Sequence, residues 1–211
     1  MNLANKLTIF RMILVPVLVI IPFFSTNIEF LGINLTFWLM ELIFVIASIT
    51  DKLDGYIARS RNQITTFGKF LDPIADKILV LAAMTILVEA GKIPAWIPVV
   101  VLTREFVVSG YRLIAVEKGG KVIAASFWGK LKTVTQMVAI IACFVDKFDF
   151  GQFIFRVATQ EQAMIFSVGT YMTTGQYAIN IISTVMLTIS VVATIFSGWD
   201  YIKGGKDLFK D

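Results

Sequence analysis

The chain has 211 residues, 57% of them hydrophobic, and a formal net charge of +4. It contains no histidine and one cysteine, which excludes an internal disulfide and any Cys/His zinc site, and removes the usual neutral-pH base. Apolar runs of about 18 residues recur without strict alternation, so the expected class is an all-α polytopic membrane protein rather than a soluble domain or a β-barrel.

Six membrane spans are expected in chain order, over 7–25, 32–51, 72–91, 94–115, 131–148 and 176–201, forming one membrane domain over 1–211. The first has a basic start, but no small-x-small cleavage signal follows Phe24, so a retained span is expected rather than a signal peptide. Lys and Arg divide unevenly between the two sides. Lys6, Arg11, Lys52, Arg59, Arg61, Lys69, Arg112, Lys118, Lys121, Lys130, Lys132, Lys203, Lys206 and Lys210 fall on one side, against Lys92, Lys147 and Arg156 on the other. The positive-inside rule then puts both termini and the 51–71 connection in the cytoplasm. The 146–175 connection is rich in Phe and is expected to lie along the membrane interface. Cys143 sits in an apolar run with nothing to activate it, and reads as a small core or lipid-facing residue.

Between the second and third spans the chain reads DKLDGYIARSRNQITTFGKFLDPIADK. Asp51, Asp54, Gly55 and Ala58 are spaced i, i+3, i+4, i+7, and Asp72 and Asp76 are spaced i, i+4, so each set shares a helix face. Packed as an antiparallel pair, the two helices would converge four carboxylates at the cytoplasmic edge. Four close anions need compensation. Oxygen donors without Cys or His suit Mg²⁺, Mn²⁺ or Ca²⁺, and two such ions could clamp a phosphate during in-line displacement. Gly55, Ala58 and Gly68 remove bulk beside the acids. Pro73 fits a first helical turn, so Asp72 is expected at the start of the third helix. The plainer alternative makes these residues solvated acids at span ends and small helix-packing positions.

The pattern Asp51-x2-Asp54-Gly55-x2-Ala58-Arg59-x8-Gly68-x3-Asp72-x3-Asp76 resembles the signature of the CDP-alcohol phosphotransferase family at every position. The resemblance implies an integral membrane transferase that moves a phosphatidyl group from CDP-diacylglycerol to an alcohol and releases CMP. It implies two divalent ions, Mg²⁺ or Mn²⁺, held by Asp51, Asp54, Asp72 and Asp76, with Asp76 also the general base. It implies that Gly55, Arg59 and Thr65 contact CDP-diacylglycerol while Ala58 and Gly68 make room for the nucleotide. The opening Asn5-x-Leu7-Thr8-x2-Arg11 resembles the start of bacterial members, which would bring Asn5 and Thr8 to the nucleotide pocket; Thr8 reads equally well as a span-end residue. A homodimer in the bacterial plasma membrane is implied, with its active site on the cytoplasmic side.

The acceptor is a separate question. Arg104 and Glu105 lie inside an apolar run, where charge is costly and faces a cavity or an acid partner. Arg112, Lys130 and Lys132 follow, and with Arg104 they could form a pocket for a second phosphate; positive-inside bias and snorkelling are their plainer readings. The patterns Arg104-Glu105-x2-Val108-x3-Arg112 and Gly129–Gln136 resemble the branch of the family that makes phosphatidylglycerophosphate, which implies sn-glycerol 3-phosphate as acceptor. Inositol phosphate is the nearest alternative in the family. A divalent-metal channel or transporter is the rival from another class, but it would want acids near mid-bilayer on a through-path. A purely structural membrane protein would need neither Arg104 nor the aspartate register.

Overall fold

A computed structural model describes residues 3–24, 26–60, 66–117, 127–151 and 174–204. These residues are mostly helical, with six α-helices among them. The chain divides into two compact units, Met1–Ala90 and Gly91–Asp211.

In the first unit, α1 (Leu3–Ile20) runs into a short 3-10 turn (Ile21–Phe24), then comes a small hairpin, α2 (Leu35–Ser60) and α3 (Thr66–Glu89). Pro16 lies inside α1 and Pro22 inside the turn that ends it. Among the described residues the hairpin is the one departure from an all-α reading. Its strands β1 (Glu29–Phe30) and β2 (Ile33–Asn34) pair antiparallel, Glu29 opposite Asn34 and Phe30 opposite Ile33. Leu31 and Gly32 both have positive φ, 55° and 71°, as a two-residue hairpin loop that follows strand twist requires. The hairpin ends directly in a helix cap: Asn34 Oδ1 accepts the Thr36 amide at 2.8 Å, satisfying one of the orphan donors of α2. Trp38 then ties hairpin to helix, its indole N–H donating to the Phe30 carbonyl at 3.0 Å while the two rings meet edge to face. α1 packs on both α2 and α3, which also meet each other. Leu18, Met40, Phe44, Leu79, Met84 and Leu87 form the core between them.

The helix bounds correct one expectation. α3 begins at Thr66, so Asp72 and Pro73 lie about two turns inside it rather than at its start. Proline removes one ladder N–H, but a helix supported by neighbouring helices tolerates that loss. The aspartates therefore sit on established helix rather than on a fraying end.

The second unit contains α4 (Trp96–Glu117), α5 (Phe127–Val145) and α6 (Thr174–Gly204). The α5–α6 pair is the most extensive, and α4 also packs on α6. Ser190, Thr194 and Ser197 are fully buried at i, i+4, i+7 along α6. Small residues at such spacing let helix backbones approach closely where lipid provides no hydrophobic drive. Cys143 is buried, as its apolar setting implied. α1 with its turn, α5 and α6 are long and apolar enough to cross a bilayer. Of the 146–175 connection, 152–173 lies outside the described residues.

The start of that connection is held by a buried acid. Asp146 Oδ2 accepts from Asn180 Nδ2 at 2.8 Å and Ser183 Oγ at 2.6 Å, while Oδ1 accepts the Phe148 amide at 3.0 Å. Lys92 Nζ donates to the carbonyls of Cys143 and Asp146. Burial pulls the Lys92 ammonium below the usual lysine range, and Asp146 and Asp149 offset part of that pull. Asp146→Ala takes the acceptor away from Asn180, Ser183 and the Phe148 amide. It is expected to cost about 3 kcal/mol, read as a lower unfolding temperature in detergent, with Asp146→Asn losing less.

Candidate active site

In the first unit three polar residues of α1 face inward, while Lys6 is exposed. Asn5, Thr8 and Arg11, spaced by three, are 8%, 1% and 0% exposed on a helix otherwise rich in lipid-type residues. Arg11 Nη1 forms an ion pair with Asp51 Oδ1 of α2 at 2.6 Å. A fully buried guanidinium is stable only with such an anionic partner. The opening motif is thus joined to the aspartate motif by direct contact: α1 supplies the cation and α2 the carboxylate. Reading the sequence gave Arg11 no role beyond the motif and the charge count, although a charge inside an apolar run was the available signal.

Asp51 is half-buried and Asp76, on α3, is exposed. Asp54, Ala58 and Arg59 lie on α2, and Gly68 and Asp72 on α3, with their side chains outside the described residues; Thr65 lies outside them altogether. Gly55 is half-buried on α2. α2 and α3 pack together, so the backbone brings both aspartate-bearing helices into one unit. Does this donor set fit a divalent ion? The four positions are all carboxylates, hard and anionic, which is the chemistry Mg²⁺ or Mn²⁺ selects. Arg11 fixes one of them from the buried side, as outer partners of metal-binding carboxylates do. The residues fit.

The second unit has a cluster of its own. Arg104 and Glu105 of α4, Lys132 of α5, and Ser197 and Tyr201 of α6 come together. Glu105 Oε1 takes Arg104 Nη1 at 3.0 Å and also Lys132 Nζ. Arg104 Nη2 donates to Ser197 Oγ. Arg112 Nη2 donates to the Tyr201 hydroxyl at 2.8 Å, and both arginines lie over the Tyr201 ring, 5.8 Å and 5.6 Å from its centre. The structure thus gathers three of the four cations proposed for a second phosphate. Lys132 is buried, whereas Lys130, two residues earlier on the same helix, is exposed and stands apart. A separation of about 200° around a helix explains why those two cannot share a site.

Glu105, Ser197 and Tyr201 had no site role in the sequence reading. Glu105 was visible as an acid beside Arg104. Ser197 and Tyr201 are i, i+4 near the end of an apolar helix, a spacing that packing alone also produces.

The model of the family described as CDP-alcohol phosphatidyltransferase matches residues 1–197. A CDP-diacylglycerol–glycerol-3-phosphate 3-phosphatidyltransferase of Bacillus subtilis (strain 168) is 36% identical over 214 residues, covering 99% of this chain and 97% of that protein. One of the same name from Rickettsia typhi is 34% identical and covers 99% of both chains. Another, from Haemophilus influenzae, is 43% identical over 66% of this chain and 73% of its own length. The full aspartate signature, its placement on two packed helices and these matches along the chain lead to one statement: this chain belongs to the CDP-alcohol phosphatidyltransferase family.

Proposed function

We infer that this enzyme transfers a phosphatidyl group from CDP-diacylglycerol to sn-glycerol 3-phosphate, giving phosphatidylglycerophosphate and CMP in phospholipid biosynthesis. The observation that carries the reading is the similarity to the Bacillus subtilis enzyme of that name along 99% of the chain. The acceptor hydroxyl oxygen attacks the phosphorus that bears the diacylglycerol. The P–O bond to CMP breaks, and CMP leaves with the bond's electron pair. The hydroxyl proton passes to Asp76, the carboxylate assigned as general base.

Asp51, Asp54, Asp72 and Asp76 are the residues that would hold two divalent ions. When bound, those ions would neutralise pyrophosphate charge and steady the leaving CMP. Arg59, Gly55 and Thr65 would bind the lipid nucleotide, with Ala58 and Gly68 leaving space for it. The burial of Asn5 and Thr8 beside Arg11 supports their place at the nucleotide. Arg104, Arg112 and Lys132 would bind the acceptor's phosphate, and Lys130 would do no more than attract it from the surface. Positioning and electrostatics then supply most of the rate. Six spans with both termini in the cytoplasm, a site at the cytoplasmic face of a bacterial plasma membrane, and a homodimer complete the proposal. The positive-inside count supports that orientation.

The test is CMP release from CDP-diacylglycerol in detergent with Mg²⁺ or Mn²⁺. Glycerol 3-phosphate is expected to support turnover, and inositol phosphate and serine to support at most a few per cent of it. Chelation with EDTA should abolish release, and either ion should restore it. No CMP with any acceptor would sink the enzyme reading and leave the channel or transporter in its place. Preference for inositol phosphate would move the chain to another branch of the family.

A further inference from the structure

The cluster in the second unit contains an uncharged residue that touches both arginines. Tyr201 is 1% exposed and among the largest fully buried side chains. Its ring lies under the guanidinium groups of Arg104 and Arg112, and its hydroxyl accepts from Arg112 Nη2 at 2.8 Å. Arg104 and Arg112 are eight residues apart on α4, about 80° off a common line, so the helix alone does not aim them at one point. Arg112 is moreover exposed, and an arginine free in solvent samples many rotamers. A rigid aromatic ring seated in packed helices removes that freedom, because a guanidinium stacks on an aromatic face and donates in fixed directions. The turn before Tyr201 contributes too. Ser197 Oγ accepts from Arg104, and the Arg104 stem runs beside Gly198, where a Cβ would stand at ordinary contact distance, 3.5 Å from Arg104 Cγ.

We propose that Tyr201 is a positioning residue for the acceptor, holding Arg104 and Arg112 in one arrangement that fits a phosphomonoester dianion. The hydroxyl is part of the device, because it accepts from Arg112 Nη2 while the ring lies beneath that guanidinium. The inference rests on the reading that these arginines bind the acceptor's phosphate. It assigns the end of α6 to substrate selection.

The experiment measures kcat and the KM of each substrate, varied with the other saturating, in Tyr201→Phe, Tyr201→Leu, Arg104→Gln and Arg112→Gln in detergent. Tyr201→Phe keeps the ring and the packing. It is expected to raise KM for glycerol 3-phosphate by about three- to tenfold, with kcat and the KM for CDP-diacylglycerol within twofold of the parent. Tyr201→Leu, where folded by its unfolding temperature, should raise it further. A general packing defect would instead lower kcat and move both KM values together. An unchanged glycerol 3-phosphate KM in Tyr201→Phe, with both arginine variants impaired, overturns the role of Tyr201 alone. Unchanged KM in the arginine variants overturns the acceptor reading beneath it.

Discussion

Substituting Asp76 by Asn is expected to abolish turnover, with CMP release falling at least 10³-fold while CDP-diacylglycerol still binds. The side chains are nearly isosteric, so α3 should keep its packing; Asp76 is exposed and lies outside the hydrophobic core. An amide cannot accept the acceptor's proton, and this chain has no histidine to substitute for it. Asn also removes one negative charge from the carboxylate set, which weakens metal affinity. Titrating the variant with Mg²⁺ separates the two effects. If excess metal restored turnover to within tenfold of the parent, Asp76 would be a ligand and the base would lie elsewhere. Binding is read by retention of a CDP-diacylglycerol analogue on detergent-solubilised protein. Loss of binding with loss of turnover would show that the substitution damages the substrate site as a whole.

Arg11→Ala should be the second most damaging change, and for a different reason. Arg11 is fully buried and its partner Asp51 is not, the Asp51 side chain being 37% exposed. Removing one member of a fully buried pair costs about 3–5 kcal/mol, and a partner that can recruit water lowers the penalty to about 2–3 kcal/mol. Activity should fall by about 10–100-fold, the usual effect of removing an outer partner from a metal-binding carboxylate. Arg11→Lys retains the charge but not the planar fork, and should fall between parent and Ala on both measures. Thermal unfolding in detergent reads the stability, and CMP release against Mg²⁺ concentration reads the site. The half-saturating Mg²⁺ concentration should rise in Arg11→Ala. A variant with lowered stability but parental Mg²⁺ dependence would restrict Arg11 to the fold.

Much of this protein is readable along the chain. Hydrophobic run length located the six helices found among the described residues, because a long apolar helix leaves a long apolar run in the sequence whatever its packing. The aspartate spacing is likewise local, since residues three and four apart share a helix face in any context. Helix ends were less legible. α3 starts at Thr66, ahead of the polar Asp72 and Pro73, because neighbouring helices stabilise turns that local signals would leave out. The hairpin at Glu29–Asn34 was missed because its strands are two residues each, too short for any alternation to register.

By itself, then, the sequence pointed to the family, to an apolar helical class, to the four aspartates in register and to the basic residues proposed for a second phosphate. Those properties depend on composition and on spacing within single helices. The tertiary structure decided which partners meet. It joined Arg11 of α1 to Asp51 of α2, separated Lys132 from Lys130, and placed Glu105, Ser197 and Tyr201 among the arginines. Such contacts bridge up to 93 residues of chain. No local periodicity encodes them, because they exist only once helices pack and buried charge has to find its counterpart.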